Sequence, residues 1–121
     1  MSVALMIAAL LMLLTSAIHV FAGGPEIMTP IRQSNLSKPV KAVADVVWHG
    51  VTVMLMLMAA GLAWLAYVPN PALLWMICAV QVGFAGLFIA YGIGQLGNLK
   101  QMPQWIIFLG IPALSLWAVY G

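Results

Sequence analysis

Charge is what this chain lacks. Only six of its 121 residues are Asp, Glu, Lys or Arg, 5% of the total, while 65% are hydrophobic. Ordinary soluble domains carry roughly 25% charged residues, and six charges cannot solvate a surface of this size, so the composition is not that of a soluble domain. The net charge of +2 has no basic cluster or aromatic-interleaved patch behind it, which removes nucleic acid as a partner. Cysteine is nearly absent. Cys78 is single, lies in an apolar run and has no partner within the chain for a disulfide.

What is present is apolar sequence in four blocks. The first, residues 3–22, reads as a retained transmembrane helix: its n-region has no Lys or Arg, and the run is longer than a signal-peptide core. Gly23-Gly24-Pro25 predicts its end. A polar connector follows, with Ile27, Met28, Ile31 and Leu36 suited to a membrane surface. The second span, residues 42–67, belongs to a helix starting near Pro39, a residue fitted to a first turn. Val68-Pro69-Asn70-Pro71 predicts a tight turn in which Asn70 caps the third span, residues 72–92. A second polar connector with Asn98 and Lys100 leads to the fourth span, residues 104–120, with a kink expected at Pro112.

Spans of about 17–25 residues match a hydrocarbon core about 30 Å thick. All four cations, Arg32, Lys38, Lys41 and Lys100, fall in connectors one and three, and none falls in the second connector or at the termini. The positive-inside rule therefore predicts an up-and-down all-α transmembrane bundle of four helices in a bacterial inner membrane. Connectors one and three are cytoplasmic, and both termini are non-cytoplasmic.

Two constellations carry candidate chemistry. On the second span, Asp45, His49, Thr52, Met56, Ala59/Ala60, Ala63 and Tyr67 share one helical stripe. On the first, His19, Thr15, Met12 and Ala8 do the same. Packed antiparallel, these stripes predict a ladder of His19 with His49, Thr15 with Thr52, Met12 with Met56 and Ala8 with Ala60. The histidines either hydrogen-bond between helices or form a cofactor site near the cytoplasmic face. In the second case His19, His49, Asp45 and Glu26 can make a two-His, carboxylate set for a transition metal. Haem fits less well, because bis-His ligation needs more room than two packed helices leave.

The second constellation is on the third span. Gln81, Phe84, Phe88, Tyr91 and Gln95 form a polar and aromatic face. Ala79, Gly83, Gly86, Ala90, Gly94 and Gly97 form a small-residue groove on nearly the opposite side. One face is expected inside the protomer and the other against a second protomer or partner subunit, unless the helix is sandwiched within its own chain. Gly92-x-Gly94-x-x-Gly97 copies a dinucleotide fingerprint but follows no strand and opens no βαβ unit. A Cys/His catalytic arrangement fails too, because Cys78 lies towards the opposite side of the membrane from both histidines.

The segments His19-Val-Phe-Ala-Gly-Gly-Pro-Glu26, with Pro30, and Val46-Val-Trp-His-Gly-Val-Thr52 resemble small bacterial four-span membrane proteins that carry H-x-F-x-G-G and W-H-x-x-T segments. The resemblance covers the first half of the chain. It implies a four-helix fold and carries no activity with it. Small multidrug exporters depend on a glutamate inside the first helix, and this first helix has no acid. The expectation is a non-enzymatic membrane protein that self-associates or serves as an accessory subunit of a larger complex. The alternative is a metal- or haem-binding protein or small transporter built on His19 and His49.

Overall fold

Four helices and no strand make up the structure, a computed structural model that describes residues 1–121. Helix α1 spans Val3–Arg32, α2 Lys38–Leu65, α3 Pro71–Leu96 and α4 Gln104–Tyr120. The first three, at 30, 28 and 26 residues, are about 45, 42 and 39 Å long, and they are apolar and long enough to cross a membrane. Helix α4 is equally apolar but has only 17 residues.

The helix starts follow from local chemistry. Ser2 Oγ accepts the Leu5 N–H at 3.2 Å, and Asn70 Oδ1 accepts that of Leu73 at 3.1 Å, so each satisfies a donor with no partner inside its helix. Pro39 and Pro71 sit in first turns, where no N–H is required.

Helix α1 does not stop at Gly23-Gly24-Pro25. His19–Met28 continues as a π-helix, and Thr29–Arg32 returns to α geometry. The wider turn bonds each N–H to the fifth residue back, as Thr29 N–H does to Gly24 O. That leaves room for the Pro25 ring at the loss of one donor. The expected surface connector therefore shrinks to residues 33–37. Helix α3 likewise runs beyond residue 92 through a π turn, Gly92–Leu96. It ends at Gly97, whose φ of 71° suits a residue without a side chain. Pro112 is buried inside α4, which stays helical through it.

The helices run up and down around a square. Pairs α1/α2 and α3/α4 pack most extensively, α1/α4 and α2/α3 close the ring, and α1 lies diagonal to α3. Leu5, Ala8 and Met12, Leu55 and Leu62, Leu74 and Ile77, and Phe108 and Ile111 line the centre from the four helices in turn. The Phe108 ring lies 5.3 Å from that of Phe84 and 5.9 Å from that of Phe88. At the opposite end of the same hairpin, Trp75 Nε1 donates to the Tyr120 hydroxyl at 3.1 Å.

The α1/α2 seam corrects the expected ladder by a rotation. Ser2 N–H meets Ala66 O at 2.7 Å at one end, and His19 meets Trp48 near the other, so the axial register is the one the ladder assumed. The inward face of α2, however, is Leu55, Met58, Ala59, Leu62 and Leu65. Met56 is 53% exposed and His49 and Ala60 face outward, so no Met12/Met56 layer forms. The face is displaced by about one residue, or 100°. Ala8 and Ala9, both buried on α1, present too little volume to fill the seam against Ala60. Leucines opposite them fill it to normal packing density.

Candidate functional site

The two segments that carry the family resemblance meet in space. The His19 ring stacks on the Trp48 indole with centroids 4.1 Å apart and planes 16° from parallel. His19 Nε2 lies 3.0 Å from the Trp48 carbonyl oxygen. A carbonyl only accepts, so Nε2 carries the hydrogen and donates. One helical turn on, Gly23 leaves the space that the indole fills. A Cβ there would stand 3.0 Å from Trp48 Cζ2, closer than carbon atoms comfortably pack. His19 and Gly23 together form a slot, and Trp48 is the tongue that enters it.

His49 turns away from this slot. Its Nδ1 lies 3.5 Å from Thr52 Oγ1, which in turn donates to the Trp48 carbonyl at 3.3 Å. The two imidazoles thus have separate partners. Asp45 is committed elsewhere: Arg32 Nε donates to its Oδ1 at 3.2 Å and Arg32 Nη2 reaches the same oxygen. Lys41 Nζ donates to the Arg32 carbonyl at 2.8 Å, tying the end of α1 to α2. Both members of the ion pair are well exposed, so it orients the loop more than it stabilises the fold. Glu26 is exposed on the π-helical stretch. No three His, Cys, Asp or Glu side chains of the chain converge as a metal-ligand set.

On α3 the two stripes separate cleanly through the middle of the helix. Gln81 is fully buried and Phe84 and Phe88 pack against Phe108, whereas Tyr91 and Gln95, nearer the end, are exposed. Ala79, Gly83, Gly86, Ala90, Gly94 and Gly97 are all exposed on the outside of the bundle. A Cβ built on Gly83, Gly86 or Gly94 would meet nothing within 4 Å.

Three features go beyond what the residues alone suggested. Trp48, not its neighbour His49, is the inward residue of the second motif; the four-residue spacing of His19 and Gly23 held the hint, since one turn on the same face makes a slot. The Arg32–Asp45 pair needed α1 to continue past Pro25. Gln81 has neither of its amide atoms hydrogen-bonded, which no periodicity reveals. Comparisons with family models, with curated proteins and with solved structures find nothing that matches this chain.

Proposed function

We propose that this is a small, non-enzymatic, multi-pass membrane protein that works as an assembly of copies joined through the small-residue face of α3. The observation that carries the reading is the exposure of Ala79, Gly83, Gly86 and Ala90 on the outside of a bundle whose core is already closed. In lipid no hydrophobic force drives helices together. Close backbone approach over small residues does, through packing and weak contacts. A stripe of this kind is self-complementary, as a two-fold interface between identical chains requires.

The membrane setting we propose is a bacterial inner membrane with the cation-bearing connectors in the cytoplasm. The up-and-down topology supports it by bringing Arg32, Lys38, Lys41 and Lys100 to one end of the bundle. Aromatic residues fall at two levels. Trp48, Tyr91 and Trp105 lie towards the cation-bearing end, and Trp64, Trp75, Trp117 and Tyr120 towards the other. Trp48 to Trp64 and Trp75 to Tyr91 are each 16 residues, about 24 Å along a helix, which suits two interfacial belts. The cofactor reading receives less support, because His19 is occupied by Trp48 and Asp45 by Arg32.

Gly86→Leu tests the assembly. The position is open within the protomer, so a leucine there leaves the bundle intact and blocks only what approaches from outside. Purified wild-type protein in mild detergent is expected to run as a multimer and Gly86→Leu as a monomer by light scattering. An unchanged mass would overturn the proposed interface, and a wild-type monomer would point to a different chain as the occupant.

A further inference from the structure

We infer that the bundle holds a binding site for a small uncharged amphiphile, entered from the end opposite the cations and ending at Gln81. Three independent observations meet there. The first is the amide itself: Gln81 is 0% exposed, and neither Oε1 nor Nε2 has a partner. An orphaned amide is costly in a membrane interior, and it retains one acceptor and two donors to offer.

The second is a cleft of about 340 Å³ between the N-termini of α1 and α3, reaching in as far as Leu5, Leu74 and Ala118. That is the size and apolar character of a small-ligand pocket. Leu74 and Gln81 lie on the same buried face of α3, seven residues apart, or about 10 Å.

The third is the lining between them. Ala8, Ala9, Cys78 and Ser115 are among the smallest residues of the core and all are buried. The Trp75–Tyr120 and Phe84–Phe108 contacts set the α3/α4 register and bring Ser115 close to the level of Gln81. The Ser115 hydroxyl donates to Ile111 O at 2.8 Å, leaving its oxygen free to accept.

The chemistry selects the ligand class. Neither the cleft nor the residues between it and Gln81 include Asp, Glu, Lys, Arg or His, so a charged head would be stripped of water with no counter-charge. A hydroxyl, carbonyl or amide head meets Gln81 with its own donor and acceptor. A short apolar tail fills the cleft. Entry requires only that Leu5 and Leu74 change rotamer.

The test uses the full chain in phosphatidylcholine vesicles and a diazirine analogue of n-octanol, with photo-adducts located by mass spectrometry. Adducts within residues 74–81 and 111–118 are expected to saturate and to be competed by n-octanol. They should fall about five- to tenfold in Gln81→Leu, the loss of one hydrogen bond to a buried group. Leu74→Trp, which closes the mouth and leaves the amide in place, should lower them similarly, and it keeps the test decisive if Gln81→Leu fails to assemble. Adducts on the lipid-facing Leu87 should not change. Saturable labelling that persists in either variant, or adducts confined to lipid-facing residues, would overturn the site.

Discussion

Replacing His19 separates the two contacts that join α1 to α2 at the Trp48 slot. His19→Phe keeps a flat ring over the indole and removes the hydrogen bond to the Trp48 carbonyl. That carbonyl still accepts from Thr52, so no buried acceptor is orphaned, and the cost is only the bond itself. Hydrogen bonds between membrane helices average ~0.6 kcal/mol, and a general range is ~0.5–1.5 kcal/mol. His19→Ala removes the stack as well, which adds ~0.5–1.5 kcal/mol, for a total of ~1–3 kcal/mol. Gly23→Ala attacks the slot from its other side. Its Cβ would stand 3.0 Å from the indole, and overpacking of that kind costs ~1–3 kcal/mol. Reversible unfolding in mixed micelles, followed by helicity, reads all three. The expected order of stability is wild type, then His19→Phe, then His19→Ala. Equal losses for Phe and Ala would mean that the stacked ring contributes nothing. Wild-type stability in all three variants would refute the slot as the joint between the helices.

The rotated α1/α2 seam predicts a cysteine cross-linking pattern, read by gel shift after oxidation in a Cys78→Ala background. A Ser2→Cys/Ala66→Cys pair forms a disulfide readily, because their backbones meet at 2.7 Å, while a Met12→Cys/Met56→Cys pair does not. Efficient Met12–Met56 linkage would restore the unrotated ladder. Phe108→Ala should be among the most damaging single substitutions, at ~3–5 kcal/mol by the same unfolding assay, because the ring is 4% exposed and touches two other phenyl rings; a loss below ~1 kcal/mol would show that the α3/α4 hairpin repacks freely. Cys78, buried at 3% exposure, should react with maleimide in the folded protein only as fast as the bundle opens, and labelling as rapid as in denaturant would contradict its placement in the core.

Most of the fold was legible because in this chain local rules and lipid demands agree. Asn70 caps α3 and Pro39 sits in the first turn of α2, and each is a decision made within four residues of the helix start. The end of α1 was not legible for the opposite reason. Gly23-Gly24-Pro25 is a strong local stop, and what overrides it is tertiary. Trp48 from another helix fills the space over Gly23, and the π turn that accommodates Pro25 lets α1 continue until Arg32 reaches Asp45.

The candidate site shows where polarity misleads as a guide to orientation in a membrane protein. Placing Asp45, His49 and Thr52 on the inward face assumed that polar atoms avoid lipid. Yet Asp45 and His49 lie in the part of α2 near the cation-bearing end, where a polar side chain has Arg32 or a local hydroxyl for company. Deeper in the helix that need disappears, and volume decides the face. Leu55 and Leu62 turn inward because Ala8 and Ala9 leave them room, and Met56 turns outward with them fixed. The same volume argument, applied to α3, buries Gln81 on the face of Leu74 and Ile77. There the packing of three apolar neighbours outweighs an unpaired amide, which is why that amide is the one group in the core still able to bind something.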